Sequence, residues 1–307
     1  MNPAHGYAAS RRRWLRAVGM LGIGPSLAHA DTPLARQGIA RPVAPAVLSA
    51  RYQASFVDEF DDRDLSRFNE DGIASVPGRP AWRSRMRQPR KDIINQEKQI
   101  YVDRAYAGLA GRPLGIEPFE LDGSSLSLIA RPLADAAQRA ALHGMGYSSG
   151  CISSERAHAQ RYGYFEMRAR LPRGRGFWPA FWMLPVRDTW PPEIDIMEAS
   201  GDRPGMLHFS VRKPGDRAGR GSGWLHAPVA ADGWQVFACE WTEREIRFIV
   251  DGRRLWSVRD HGVHEPMYLL ANLALGSHDP GWIPDPDAST PFPGRFEIDY
   301  IRAFERR

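Results

Sequence analysis

The chain has 307 residues and a formal net charge of +5. Its arginines are scattered rather than gathered into a stripe, and no nucleic-acid-binding motif accompanies them, so the composition does not favour a nucleic-acid partner. The two cysteines, Cys151 and Cys239, allow one disulfide or two buried thiols, and their spacing is not that of a zinc site.

The amino terminus has the pattern of an export signal. Arginines at positions 11–13 precede an apolar run from Ala17 to Leu27, and Ala28-His29-Ala30 is typical of a cleavage site. Paired arginines before the run indicate twin-arginine export. The run is far shorter than the roughly 20 apolar residues of a membrane-spanning helix. We therefore expect residues 1–30 to be a twin-arginine-type signal peptide, and the mature protein to be periplasmic or secreted and to have no membrane span.

The remaining chain is expected to fold as a single domain. Residues 31–50 carry several prolines and alanines without apolar periodicity, which is typical of a linker or an N-terminal arm. Residues 51–307 show no internal repeat, and all-β sandwiches commonly fill such a length as one domain.

Most of this domain has the pattern of strands separated by turn residues. Polar and apolar residues alternate from Tyr164 to Leu171, as in a half-buried strand. In the next strand Trp178 and Trp182 share a face, and Asp251-Gly252 favours a tight hairpin turn. The predicted strands are residues 164–171, 177–184, 246–250, 255–258, 267–275 and 295–304.

One short helix is predicted within residues 132–144, which are rich in alanine and end in glycine. Many strands with little helix indicate an all-β sandwich of two curved antiparallel sheets. The inner faces form the core, and one outer, concave face stays open as a substrate cleft.

Three carboxylates lie close together in residues 191–198, Pro-Pro-Glu-Ile-Asp-Ile-Met-Glu. Side chains alternate faces along a strand, so Glu193 and Asp195 share one face and the isoleucines point the other way. Strict alternation would turn Glu198 to the isoleucine side. A one-residue bulge near Met197 would return it to the other acids, and such bulges are frequent beside active sites.

This acidic segment predicts glycosidase chemistry. A glycosidase needs one carboxyl group to protonate the leaving oxygen and a second to attack the sugar or activate water. Crowded carboxylates cannot all ionise easily, so at least one should have a raised pKa. The alternative, a solvated acidic edge strand, would seldom alternate acids with isoleucines.

The chain resembles glycoside hydrolase family 16, the laminarinases, lichenases and related endo-glycanases with a concanavalin-like jelly-roll fold. The likeness covers nearly the whole predicted mature chain. The motifs that carry it, in the family's order, are Asp58-Glu59-Phe60, Asn95-Gln96-Glu97 with Tyr101, Tyr162-Gly163-Tyr164-Phe165-Glu166, Gly176-Phe177-Trp178-Pro179-Ala180-Phe181-Trp182-Met183, the acidic segment and Ile298-Asp299-Tyr300.

The resemblance implies a role for each acid. In the family's bulged form of the motif, Glu-x-Asp-x-x-Glu, Glu193 corresponds to the nucleophile, Asp195 to an assisting acid and Glu198 to the acid/base. The implied mechanism is retaining and passes through a covalent glycosyl-enzyme.

The resemblance also suggests substrate-binding residues. Trp178 and Trp182 would offer flat faces to sugar rings, although either could instead belong to the core. Asn95 and Glu97 resemble polar residues that line the donor side of the cleft. His208 could contact the substrate or the acids, but a lone histidine is more often structural.

A structural calcium ion is a further implication, on the convex side at Glu59, Gly123 and Asp299. Oxygen ligands suit this hard cation, and a salt bridge or a turn hydrogen bond is the alternative there. The carboxylate chemistry itself requires no cofactor.

We therefore expect a monomeric, retaining endo-glycoside hydrolase whose partner is a polysaccharide, with β-1,3- or β-1,3-1,4-glucan as first substrate. The alternatives are a depolymerase of a succinoglycan-like exopolysaccharide, a β-galactanase, a transglycosylase, and a non-catalytic lectin on the same fold, which would not need the three acids. Trp234-Gln235 and Pro191-Pro192 depart from the common family pattern and leave the choice of substrate open.

Overall fold

The computed structural model describes residue 48 and residues 50–73, 79–213, 222–230, 233–276 and 282–307. The predicted signal peptide and nearly all of the predicted linker lie outside the described residues. No helix among the described residues is long and apolar enough to cross a membrane.

Strands make up nearly all of the regular structure. They are β1 (Tyr52–Asp58), β2 (Phe68–Asn69), β3 (Trp82–Arg83), β4 (Gln99–Tyr101), β5 (Phe119–Leu121), β6 (Leu126–Pro132), β7 (Tyr147–Ser149), β8 (Cys151–Ser153), β9 (Gly163–Arg170), β10 (Phe177–Pro185), β11 (Glu193–Ala199), β12 (Met206–Arg212), β13 (Ser222–His226), β14 (Trp234–Trp241), β15 (Glu245–Val250), β16 (Arg253–Arg259), β17 (Met267–Leu275) and β18 (Gly294–Arg306). The helical elements are a 3₁₀ turn at Leu65–Arg67 and a helix at Ala136–Ala141.

The strands form two sheets. The back sheet has the order β16-β15-β14-β9-β18-β6-β7-β4, with β1 beside β18 and β5 beside β6. The front sheet has the order β13-β12-β11-β10-β17-β8-β3-β2. Neighbouring strands are antiparallel except for the pairs β2–β3 and β4–β7, which lie at the sheet edges and are parallel. The predicted all-β, two-sheet class is thus confirmed, and these edge pairs are the departure from a purely antiparallel sandwich.

The local predictions agree with these elements. Strand β17 has the predicted bounds, and the other five predicted strands differ from the observed ones by a few residues. Asp251 and Gly252 have φ angles of 49° and 72°, the left-handed values that a tight hairpin turn requires. The helix lies within the predicted range and begins after Asp135, whose side chain accepts hydrogen bonds from the first-turn amides.

The core lies between the two sheets. Phe181 and Ile194 of the front sheet and Phe165 and Phe237 of the back sheet are fully buried in it. The outer face of the front sheet, turned away from this core, carries the three acids. Both cysteines are buried and free, so the structure contains two thiols rather than a disulfide.

Candidate active site

The acidic segment forms β11, whose pairing is irregular between the second and third acids. Towards β10, Met197 pairs with Phe181 while Asp195 pairs with Trp182, so β11 carries one extra residue. The register towards β12 also shifts between Asp195 and Glu198. Met197 and the isoleucine before it are both fully buried in the core. The predicted bulge is therefore confirmed, and it returns Glu198 to the outer face.

Glu198 is held through both of its carboxyl oxygens. Trp178 on β10 donates a hydrogen bond from Nε1 to Oε1 at 3.0 Å. Nδ1 of His208 lies 2.8 Å from Oε2, and His208 is the cross-strand partner of Glu198 on β12. The orientation of this carboxyl group is thus fixed from two strands.

Asp195 is buried between the other two acids and accepts a hydrogen bond from the hydroxyl of Ser210, its cross-strand partner. Burial and the negative charges of Glu193 and Glu198 raise the pKa of Asp195 well above its ordinary value. Asp195 therefore keeps its proton more readily than an exposed aspartate does.

Glu193 is contacted by a loop and by a neighbouring strand. Trp190 donates from Nε1 to Oε2 at 2.9 Å, and Nε of Arg212 lies 3.7 Å from Oε1. Burial raises the pKa of Glu193 to about 6, against the lowering effects of Trp190 and Arg212. This carboxyl group is consequently ionised in most molecules at neutral pH.

Glu97 forms a polar cluster with residues of its own segment. It accepts hydrogen bonds from Asn95 at 3.3 Å, Gln99 at 2.6 Å and Tyr101 at 3.3 Å. Burial raises the pKa of Glu97 to about 7, and the charge of Glu198 adds to the increase. Glu97 therefore lies within electrostatic reach of Glu198. Asn95 lies beside Glu97, and a place for the two residues on the donor side of the cleft stays a prediction.

A chain of hydrogen bonds continues from Glu97 to Trp182. The hydroxyl of Tyr101 accepts from Asn272 at 2.9 Å, and the Asn272 carbonyl accepts from Nε1 of Trp182 at 2.7 Å. Sequence reasoning missed Asn272, although it is the one amide side chain in the otherwise largely apolar strand β17 and a buried polar residue is a signal that could have located it.

The two tryptophans expected to bind sugar are largely covered. Trp178 is 7% exposed and Trp182 is 8% exposed. Trp178 packs on Ala274 and Ile283, while Trp182 lies in a separate apolar cluster. Their indole N–H groups bind protein side chains, and binding of sugar rings by these two residues stays a prediction.

Three other indoles near the acids are more exposed, and sequence reasoning missed them. Trp190 contacts Glu193, as described above. The rings of Trp224 and Trp282 lie 5.3 and 4.5 Å from the ring of His208. Trp224 is the cross-strand partner of His208, so predicting β13 would have located it.

The residues proposed for calcium do not fit a metal ion in this structure. Each oxygen of the Glu59 carboxylate accepts a hydrogen bond from Arg302, at 2.8 Å in both cases. Asp299 accepts from Arg168 at 2.5 Å, and the space beside Gly123 contains the guanidinium of Arg63. Among the described residues there is no group of three acidic, histidine or cysteine side chains that could hold a metal.

The chain is similar to known proteins of one family. The family described as Glycosyl hydrolases family 16 matches residues 121–302. The chain is 34% identical over 260 residues to the endo-1,3-1,4-beta-glycanase ExsH of Rhizobium meliloti (strain 1021), a match that covers 81% of this chain and 51% of the relative. The chain thus spans about half the length of this curated relative.

Solved structures give the same fold. The laminarinase of Rhodothermus marinus is 29% identical with a TM-score of 0.65, covering 83% of this chain and 98% of the other. The catalytic domain of an endo-1,3-beta-glucanase (laminarinase) from Thermotoga petrophila RKU-1 is 27% identical, with a TM-score of 0.65 and the same two coverages. The two sheets described above therefore form the predicted jelly-roll sandwich.

Proposed function

The chain belongs to glycosyl hydrolase family 16, and on that premise we propose that it is a retaining endo-β-glucanase. Glu193 is the nucleophile, Asp195 assists it, and Glu198 is the acid/base. The observation that carries this proposal is the bulge in β11, which gathers three acids with different partners on the outer face of the front sheet.

In the first step Glu198 gives its proton to the glycosidic oxygen as the bond from that oxygen to C1 breaks. The Glu193 carboxylate attacks C1 and forms a covalent glycosyl ester. Trp178 and His208 keep the Glu198 carboxyl group oriented towards the leaving oxygen.

In the second step Glu198, now ionised, takes a proton from water. The resulting hydroxide oxygen bonds to C1, and the Glu193 carboxylate leaves. Burial and the charges of Glu193 and Glu198 raise the pKa of Asp195 and so favour its protonated form. In that form it stabilises the negative charge that Glu193 loses in the first step and regains in the second.

We propose a β-glucan with 1,3 or with 1,3 and 1,4 linkages as substrate. Support comes from the relative, which is named as an endo-1,3-1,4-beta-glycanase, and from the laminarinase structures. Trp190, Trp224 and Trp282 would supply the apolar faces on which sugar rings stack.

An acidic exopolysaccharide of the succinoglycan type is the second candidate substrate. Two cations on the β12–β13 side of the acids favour it. Arg212 lies beside Glu193, and the Arg203 guanidinium lies 4.7 Å from the ring centroid of Trp224. Such cations would attract carboxylate substituents on a glucan, with an effect that added salt reduces.

The first experiment measures reducing-end release from laminarin, lichenan and succinoglycan by the mature chain and its Glu193→Gln variant. Glu120→Gln, an exposed position on the back sheet, is the control. Hydrolysis of one polymer that is lost only in Glu193→Gln supports the proposal. Binding of a polymer without cleavage would favour a lectin, and longer products a transglycosylase.

Chemical rescue assigns the two glutamate roles. With an activated aryl β-glucoside, azide should restore turnover to Glu193→Gly and give an α-glycosyl azide, because azide replaces the missing nucleophile. In Glu198→Gly it should intercept the glycosyl-enzyme and give a β-glycosyl azide. Interchanged products would reverse the assignment.

We also propose that the mature protein is exported, because residues 1–30 have the pattern of a twin-arginine leader. We propose separately that the mature protein is a monomer. A Lys-Lys replacement of the arginine pair Arg12 and Arg13 should retain the unprocessed chain inside the cell. Unchanged export in that variant would contradict the twin-arginine route, and sedimentation of the purified mature chain as a dimer would contradict the monomer.

A further inference from the structure

The guanidinium of Arg212 is placed beside the nucleophile by the backbone pairing. Arg212 and Glu193 are cross-strand partners at the ends of β12 and β11, so their side chains project from the same face of the sheet. Nε of Arg212 lies 3.7 Å from Oε1 of Glu193, and the arginine side chain is 38% exposed. The ion pair thus lies at the open side of the acid row.

The two oxygens of Glu193 face different elements. Oε2 accepts from the Trp190 indole at 2.9 Å, while Oε1 faces Arg212. The loop that carries Trp190 also carries Arg187 and Asp188, which pair with Glu265 and Arg87 rather than with the acids. The carboxylate plane of Glu193 is therefore fixed between one indole and one guanidinium.

Opposing charges act on Glu193 from two strands. On its own strand lie Asp195 and Glu198, and β12 supplies Arg212. Glu198 and Arg212 shift the pKa of Glu193, and both also act on Asp195. Trp182 and Met183 pair with β11 from the β10 side and carry no charge. Burial raises the pKa of Glu193, and Arg212 opposes this increase as the cation of the group.

We propose that Arg212 is a positioning residue for the nucleophile. In the enzyme without substrate, it holds the Glu193 carboxylate ionised and turned towards the place that the sugar will occupy. This inference rests on the proposed function, because it assigns Arg212 to the resting state of that reaction. The ionised form is the one that attacks C1, and the same charge returns to Glu193 when the glycosyl ester is hydrolysed. Arg212 therefore favours the state from which each cycle starts.

Two simpler roles make different predictions. If Arg212 serves only the fold, its replacement changes stability but not the titration of Glu193. If it only contacts substrate, its replacement raises KM at every pH and leaves the free enzyme unchanged. A positioning role instead moves the midpoint of Glu193 ionisation in the protein without substrate.

The test is a carbon-13 NMR titration of the glutamate carboxyl groups in the mature protein. The Glu193 signal is the one missing from the Glu193→Gln spectrum. We compare the native protein with Arg212→Gln, Arg212→Lys and the control Arg295→Gln. Arg295 resembles Arg212 in exposure, at 40%, and in having an acidic partner, but it lies on the back sheet beside Glu120. Arg212→Met, which keeps the aliphatic stem, replaces Arg212→Gln if that variant does not fold.

We expect the Glu193 midpoint to rise by about one pH unit in Arg212→Gln, because a nearby opposite charge lowers a carboxyl pKa by about one unit or more. Arg212→Lys should restore most of the shift, and Arg295→Gln should leave the midpoint unchanged. The acid limb of kcat/KM should move by the same amount. An unmoved midpoint in folded Arg212→Gln or Arg212→Met overturns the inference. The titration needs no substrate, so an inactive native protein would contradict the proposed function without deciding the role of Arg212.

Discussion

The indole nitrogen of Trp178 donates a 3.0 Å hydrogen bond to Oε1 of Glu198, although a surface role for this tryptophan is the simpler expectation from the sequence. The residue is 7% exposed and packs on Ala274 and Ile283. The packing holds the ring in one orientation, so its N–H group points at Glu198 and little side-chain entropy is lost when the bond forms. Trp178 connects the apolar packing of the front sheet to the orientation of Glu198, the proposed acid/base.

Trp178→Phe should lower kcat/KM by about 10-fold to 100-fold, because a hydrogen bond to a charged group contributes roughly 1.5–3 kcal/mol. The phenyl ring keeps most of the packing, so the protein should remain folded. Trp256→Phe is the matched control, since Trp256 is also 7% exposed but lies on the back sheet. Equal losses in both variants would show that packing, and not the bond to Glu198, determines the rate.

The buried carboxyl group of Glu97 should make the stability of the protein decrease with pH. Its folded-state pKa is about 7, raised by burial from the ordinary value of 4.5. The folded state therefore keeps a proton that the unfolded chain loses, and this contribution to stability is complete below about pH 4.5. It is lost progressively as the pH rises to about 7.

Glu97→Gln removes that dependence. Between pH 4.5 and pH 8 the free energy of unfolding of the native protein should fall relative to that of Glu97→Gln, by up to about 3 kcal/mol. The other acids titrate in both proteins, so their contributions cancel in the difference. Urea unfolding at several pH values measures it, and parallel curves for the two proteins would contradict the raised pKa.

The sequence was sufficient to predict the bulge in β11 because two requirements conflict there. Ile194 and Ile196 must face the core, and Glu198 cannot be buried among them without a partner, so an extra residue is the physical solution. The conflict lies within one strand, which makes it visible from local alternation. The hairpin at Asp251-Gly252 was predictable for the same reason, since a turn preference is a property of adjacent residues.

The surroundings of the acids could not be predicted from local patterns. Burial of Trp178 depends on Ile283, which is distant along the chain. Likewise, the arginine that binds Glu59 is 243 residues away from it. The position of Glu59 in a family motif indicated a calcium ligand. Its partner in the structure is the guanidinium of Arg302, which the pairing of β1 with β18 brings beside it.

The Glu59–Arg302 pair predicts that the terminal strands do not depend on calcium. EDTA should leave Tm unchanged, because both Glu59 oxygens already bind a guanidinium. Glu59→Gln should lower the free energy of unfolding by about 1 kcal/mol, a value limited by the partial exposure of the pair. Asp188→Asn removes a longer pair with Arg87 in which the acid is more exposed, so it should have a smaller effect. A rise in Tm with added calcium that EDTA reverses would contradict this prediction.

Gly294 allows the two sheets to approach at the beginning of β10. A Cβ atom at this position would lie 2.1 Å from Cε1 of Phe177 and 2.5 Å from Cζ, far inside van der Waals contact. Phe177 is fully buried, so its ring has little room to move. Gly294→Ala should therefore reduce the free energy of unfolding by about 1–3 kcal/mol, the usual cost of overpacking a core.

Gly146→Ala is the control for backbone entropy, because a Cβ atom there would meet nothing within 4 Å. It should be neutral or stabilise the protein by up to about 1 kcal/mol. Adding Phe177→Leu to Gly294→Ala should recover part of the loss, since the two positions share one contact. Because Trp178 follows Phe177 directly, a displaced ring should also disturb the bond to Glu198. We therefore expect kcat/KM to fall in Gly294→Ala and to recover with stability in the double variant. A loss of stability with unchanged kcat/KM would show that the start of β10 and the Glu198 carboxyl group move independently.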